Sequence, residues 1–482
     1  MAWSVSERIS LQVLRMLISI ILARLLDPSE FGLIGMLAIF TNIAQSILDS
    51  GFGSALIQKK DATQTDASSI FYFNLIIGIV LAGLFFFSAP LISEFYQQPS
   101  LTPITRVLSL SLIINAFSLI QLSMLRKNLD FKNLFIVGII AVIFSGICSI
   151  VAAIMGLGVW ALVIQTLSHS LAQAGILWLL NNWRPVGKFS FHSLKSMFSF
   201  GSRLLVAGLI ETFFINLYNT FIGKNYSASD LGYYDRARTI ETAATATTSM
   251  ALATVIFPAF SPYQDDNKTL KSVHNKTIKM SMFLHFPLMI GLIAIAEPLF
   301  LFLLTEKWAN SIIYFQLLCV VGIVYPIQVQ NYNMFRIKGR SDYILKFGIF
   351  KHLLTTIALL LTYRYGIIPL ILGQIIVAVL SQLVASYLAG RLIKFSIFDL
   401  FKAILPSFII SMAMGVILYF IGLLNIESHL VKFSLQIFTG ILIYYLLNKI
   451  IKSPELDEFI SIIKHFFNGL ISKLKGTLWK HH

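Results

Sequence analysis

The chain has 482 residues, 57% of them hydrophobic and 12% charged, with 37 lysines and arginines against 22 acids for a formal charge of +15. Soluble domains are about 45–50% apolar and about 25% charged, so this is the composition of a polytopic membrane protein. About fourteen apolar stretches of roughly 22 residues take up about 310 residues and leave about ten per loop. That excludes an inserted catalytic or nucleotide-binding domain, a large external domain, and an outer-membrane barrel of short alternating strands.

In chain order, spans are predicted at 3–26, 31–57, 67–89, 101–125, 132–155, 158–180 and 195–223. They continue at 229–258, 274–304, 309–335, 342–363, 367–390, 399–424 and 430–450. Alternate loops are cationic: Lys59 and Lys60; Arg126, Lys127 and Lys132; Arg184 and Lys188; Lys268 and Lys271; Arg336, Lys338 and Arg340; Arg391 and Lys394. The loops between them are nearly bare of cations, as at 27–30, 93–100 and 425–428. Positive loops stay in the cytoplasm, and an even number of spans places both termini there too. The tail at 453–482 repeats Leu456, Phe459, Ile463, Phe466, Leu470 and Leu474 at helical spacing, which predicts an amphipathic helix on the cytoplasmic leaflet. Cys148 and Cys319 lie in apolar runs and read as reduced core thiols. Tyr96, Tyr233 and Tyr234 fall where interfacial aromatic belts are expected.

The sequence repeats itself. RLLDPSEFGLI at 24–34 matches KNYSASDLGYY at 224–234, an offset of 200. GSALI at 53–57 matches ATVIF at 253–257, MLRK at 124–127 matches MFRIK at 334–338, and WALVIQ at 160–165 matches IPLILGQ at 368–374. Spans 1–6 (residues 1–183) and 7–12 (184–394) therefore read as two copies of one unit. Six is even, so the copies have the same orientation. Spans 13 and 14 (395–452) and the tail (453–482) fall outside the repeat. In the shared motif Ser29 and Ser229 are placed as N-caps, with an acid in the first turn of the next helix.

Several stretches resemble the WzxC-like polysaccharide exporters, which are Wzx-type lipid-linked oligosaccharide flippases of the multidrug/oligosaccharidyl-lipid/polysaccharide superfamily. They are AWSVSERISLQ from residue 2, ISIILARLLDPSEFGLIGM at 18–36, LDSGFGSALIQKKD at 48–61 and GLGVWALVIQ at 156–165, with NYSASDLGYYDRA at 225–237 and IFPAFS at 256–261. The resemblance implies an all-α protein with two parallel six-helix lobes around a central cavity and two extra C-terminal helices. It implies transfer of an undecaprenyl-diphosphate-linked oligosaccharide from the cytoplasmic to the periplasmic leaflet of the bacterial inner membrane by alternating access. The expected partners are that lipid, the bilayer, and a polymerase and other assembly proteins. No nucleic acid, cofactor or metal is expected, and the chain is expected to act as a monomer.

Loops do not absorb all the positive charge. Arg15, Arg203, Arg236, Arg238, Lys279, Lys346 and Lys351 lie within spans. A charge at the bilayer centre costs about 2.5–3.5 kcal/mol on insertion scales, so such residues face a cavity, pair with an acid or snorkel. Arg236 follows Asp235, Arg238 has Glu241 at i+3, and Lys279 and Lys346 are near span ends, so pairing or snorkelling is available to each of these. The functional reading is a cationic cavity holding a diphosphate, because the guanidinium fork suits phosphate oxygens. Its candidates are Arg15, Arg203, Arg236, Arg238 and Lys351. In-span acids are fewer. Glu211, Asp49, Asp235 and Glu241 are candidates for coupling transport to an ion, with Glu211 two turns from Arg203. The rivals are a multidrug antiporter of the same superfamily, which favours acidic cavity residues, and a membrane-embedded polymerase or ligase. The chain lacks HExxH, P-loop, CxxC and hydrolase GxSxG patterns, so it reads as a transporter and not an enzyme.

Overall fold

The computed structural model describes residues 2–49, 51–260, 266–461 and 464, with backbone alone at 2–9, 196, 199, 200 and 247–260. The described residues form helices and their connections: α1 (Ala2–Leu25), α2 (Pro28–Asp49), α3 (Phe52–Gln58), α4 (Gln64–Tyr96), α5 (Leu101–Lys127), α6 (Phe131–Ile154), α7 (Trp160–Leu180), α8 (Phe191–Asn225) and α9 (Ala228–Phe260). There follow α10 (Asn267–Ala294), α11 (Ala296–Leu303), α12 (Ser311–Gly322), α13 (Tyr325–Ile337), α14 (Ser341–Thr362), α15 (Ile367–Ile393), α16 (Ile397–Gly422) and α17 (His429–Ile451). Helices satisfy their own backbone groups, as a lipid environment demands. Among the described residues twelve helices are long and apolar enough to cross a membrane, with α2–α3 and α12–α13 each counted as one crossing. The predicted spans 3–26 and 229–258 are helical, as α1 and α9, but are not among the twelve.

The break between α2 and α3 sits at Gly51, whose φ of 68° is left-handed. A side chain there would also come within 2.6 Å of the Gly201 carbonyl oxygen of α8, so both conformation and close approach favour glycine.

The chain forms two compact units, Met1–Arg236 and Ala237–His482. In the first, α4 pairs with α5 and α6 with α7, α1 lies on α6, and α2 lies on α8. Small residues set these approaches. Ala116 of α5 packs against Gly78 of α4, and Leu11 and Ile18 of α1 pack against Gly138 and Gly146 of α6. Without a hydrophobic driving force between helices in lipid, such close packing supplies the association energy. Buried serines return their hydroxyls to their own helix: Ser109 donates to the Arg106 carbonyl at 2.7 Å and Ser149 to that of Gly146 at 2.9 Å. In the second unit α10 packs on α16, α14 on α15 and α16 on α17. Met282, Phe286, Phe335 and Ile393 fill its core.

The connection from α7 to α8 is a strap laid across the start of α4. Ser68 accepts from the Val186 N–H at 2.9 Å and Ser69 from the Ser190 N–H at 2.8 Å, while Gln64 donates to the Arg184 carbonyl at 2.6 Å. Beneath it Phe71 meets Tyr72, Phe117, Trp178 and Trp183 at centroid separations of 5.6, 6.0, 5.9 and 5.9 Å, all edge-on. Edge-to-face pairs add to area burial. Phe71→Ala is therefore expected to cost about 3 kcal/mol or more, read as a lower thermal unfolding midpoint in detergent. A wild-type midpoint would mean the strap is held by its hydrogen bonds alone.

The repeated motif is built twice in the same way, with a bend at 26 and 226 and helix from 28 and 228. The caps lie two residues earlier than predicted. Ser227, not Ser229, accepts from the Asp230 N–H at 3.1 Å, and its own N–H donates to that carboxylate at 3.2 Å. Likewise the Asp27 N–H donates to Glu30 at 2.8 Å. In the second copy the acid at the third helical position closes a capping box with Ser227, and in the first Glu30 makes the matching bond back to the residue three before it. Tyr96 and Tyr234 are buried, at 4% and 0% exposure, and not on an interfacial surface. Tyr96 packs edge-on against Phe40 and beside Gly223.

After α17, residues 454–461 are helical. They dock on α10 through Lys276–Glu458 at 2.8 Å, Lys279–Glu455 at 3.8 Å and Phe283–Phe459. The rest of the predicted tail helix, Lys464 apart, lies outside the described residues. Asp266 N-caps α10, accepting from Lys268 N and Thr269 N.

Candidate functional site

In the first unit, α2 carries Asn42, Gln45, Ser46 and Asp49 at i, i+3, i+4 and i+7, one face of a helix. Neighbouring helices answer this stripe with polar groups. Asn42 donates to Asn216 of α8 at 3.2 Å, Ser46 pairs with Thr212 of α8 at 3.0 Å, and Asn115 of α5 donates to Gln45 at 3.0 Å. Asn42 and Asp49 are exposed, and Gln45 and Ser46 half-buried. Asp49 lies within electrostatic range of Arg126.

The predicted cations separate into kinds. Arg15 and Arg203 are exposed. Arg15 is within electrostatic range of His169 on α7. Arg236 is buried, 5% exposed, with its guanidinium 4.2 Å above the Phe31 ring and donating to the Ser19 hydroxyl. It thus ties α9 to α1 and α2. Its neighbour Asp235 accepts from Asn219 of α8 at 2.9 Å. Glu211 is exposed on α8.

In the second unit Glu241 sits against Gly322 of α12 and accepts from Thr245 at 2.7 Å and Thr242 at 3.2 Å. His285 of α10 bonds the carbonyl of the same residue, Gly322, at 3.0 Å. Arg238 is half-buried and within electrostatic range of Glu241. Lys351 of α14 donates to Gln328 of α13 at 3.4 Å. Lys346 is 3.9 Å from Asp342 near the start of α14.

The residues missed by a search for charges are the amides and hydroxyls of α2, α5 and α8, together with His285. The α2 stripe was readable as polar residues at helical period inside an apolar span. The placing of His285 beside Gly322 depends on helix packing and leaves no local signal.

A model of the family described as polysaccharide biosynthesis protein matches residues 21–313. The chain belongs to this family. It is 27% identical over 424 residues to the teichuronic acid biosynthesis protein TuaB of Bacillus subtilis (strain 168), covering 87% of this chain and 88% of that one. It is 24% identical over 431 residues to the lipopolysaccharide biosynthesis protein WzxC of Escherichia coli (strain K12), covering 86% and 87%. Among solved structures it superposes on the lipid II flippase MurJ in an inward closed conformation with TM-score 0.74, 16% identity, and coverage of 93% of this chain and 98% of that one. An inward-facing multidrug resistance MATE family transporter of the MOP superfamily follows at TM-score 0.60 and 17% identity, with coverage of 80% and 96%. The fold of this polysaccharide biosynthesis protein is thus the all-helical fold seen in those two structures.

Proposed function

We propose that the chain carries undecaprenyl-diphosphate-linked oligosaccharide repeat units from the cytoplasmic to the periplasmic leaflet of the bacterial inner membrane, for assembly of a surface polysaccharide. The observation that carries this reading is the exposure of Arg203 in α8, whose 201–225 stretch is long and apolar enough to cross a membrane, together with the exposure of Arg15 in α1. A cation exposed at that depth needs an aqueous or anionic surrounding, and a dehydrated diphosphate supplies one. The family, and the fold shared with a lipid II flippase, support the same class of cargo. Two lobes, 1–183 and 184–394, would alternate access, with helices at 395–452 added and both termini in the cytoplasm as the loop charges favour. Arg238 and Lys351 would supplement the cationic surface, and Arg236 would brace it from inside. Coupling to an ion would use Glu211, Asp49, Asp235 or Glu241. No covalent chemistry is assigned to any of these groups.

The test is a leaflet-translocation assay in proteoliposomes, with a fluorescent undecaprenyl-diphosphate oligosaccharide. Losing a charge-assisted bond to phosphate is expected to slow transfer about tenfold or more in Arg15→Ala and Arg203→Ala, at unchanged protein incorporation. Wild-type rates in the double variant would overturn the cationic-surface reading. Efflux of cationic dyes without lipid transfer would favour a multidrug antiporter instead.

A further inference from the structure

The stripe on α2 is only partly used by the protein itself. Asn42 spends one amide N–H on Asn216, and Gln45 spends its carbonyl oxygen on Asn115. Among the described residues the Asn42 carbonyl oxygen and the Gln45 amide N–H groups have no hydrogen-bond partner. An amide has two donors and two acceptor sites, so a side chain held through one end offers the other in a fixed orientation. Asn42 and Gln45 are three apart and adjacent on the helix surface, which sets an acceptor beside a donor. Asp49, one turn further on, adds an exposed carboxylate, an acceptor-only group. From Asn42 to Asp49 the stripe is about 10 Å long. Packing alone does not account for it, because groups used only to join helices are buried between them, and Asn42 and Asp49 are exposed.

We infer that this stripe is a sugar-recognition surface: Asn42, Gln45 and Asp49 hydrogen-bond ring hydroxyls of the cargo glycan. The inference rests on the proposed transport of a lipid-linked oligosaccharide and divides its labour. Cations hold the diphosphate, which every such lipid shares. The stripe of amides, with Asp49 at its end, reads the glycan, in which these lipids differ. An acceptor beside a donor matches adjacent hydroxyls on one ring, each of which donates and accepts. The stripe's length accommodates about two linked rings. Its companions Asn115, Thr212 and Asn216 are positioning residues that hold the α2 side chains in register.

The experiment compares two cargoes in the same proteoliposomes: an undecaprenyl diphosphate bearing a full repeat unit and one bearing a single sugar. Asn42→Ala with Gln45→Ala is expected to lower the ratio of their rates, repeat unit over single sugar, about tenfold, at about threefold to fivefold per lost hydrogen bond. The loss should be in apparent affinity for the longer cargo. Arg203→Ala should slow both cargoes together. If the stripe variant slows both cargoes equally, or only lowers the thermal midpoint, the stripe is a packing device and the inference is overturned. If the wild-type protein moves neither cargo, the transport reading itself fails, which is a separate result.

Discussion

Substituting leucine for Gly232, or for Gly32, is expected to unfold the crossing of α2 and α9 and to remove transport with it. The two glycines form one reciprocal contact. A β-carbon on Gly32 would fall inside the carbonyl of Ala228, and one on Gly232 inside the carbonyl of Pro28. What stands in the way is backbone, so no rotamer change relieves the clash and the helix starts must separate. Separation would also loosen Leu231, which lies against Gly35, and Tyr96, which lies against Gly223. Close helix approach through small residues is what associates helices in lipid. Even alanine should therefore cost about 3 kcal/mol, and leucine more, in thermal or denaturant unfolding in detergent. Because both changes open the same contact, the double alanine variant should be less destabilised than the sum of the singles, by about 1 kcal/mol or more. Additive effects would show that the two glycines act independently and that the crossing is not a single unit.

That contact also shows what the sequence could and could not say. The motif at 24–34 and its copy at 224–234 were legible as a pair, with a helix start and an acid in its first turn, although the caps fell two residues earlier than Ser29 and Ser229. That the two glycines meet each other's helix start is a fact of packing between segments 200 residues apart. Helix positions were readable throughout, since long apolar runs leave little choice in lipid. Interruptions were not: Gly51, Ile295 and the 323–324 turn break predicted single spans into pairs of helices, and each break depends on local backbone geometry within an apolar run. The α2 stripe was visible as periodicity, but a search led by charge finds only its Asp49 and passes over Asn42, Gln45 and Ser46. Charge alone also groups Arg236 with Arg15 and Arg203, whereas only the fold places it over Phe31.

Arg236 accordingly has a different expected phenotype from Arg203. Its guanidinium lies over Phe31 of α2, donates to Ser19 of α1, and extends from α9, so three helices meet on one side chain. A desolvated cation–π contact is worth about 2 kcal/mol, and a buried polar partner left unsatisfied costs about 1–3 kcal/mol more. Arg236→Ala should therefore lower stability by about 3 kcal/mol, and transport should fall because the protein is damaged. Arg236→Lys should recover little of this, because an ammonium cannot stack flat on the ring while bonding Ser19. Arg203→Ala, on an exposed residue, should lower the unfolding midpoint much less than Arg236→Ala does, while transport is lost. Unfolding midpoints and translocation rates measured on the same purified proteins separate the two. If Arg236→Ala kept wild-type stability yet lost transport, the buried guanidinium would have to reach the cargo in another conformation of the cycle, exchanging Phe31 and Ser19 for phosphate oxygens.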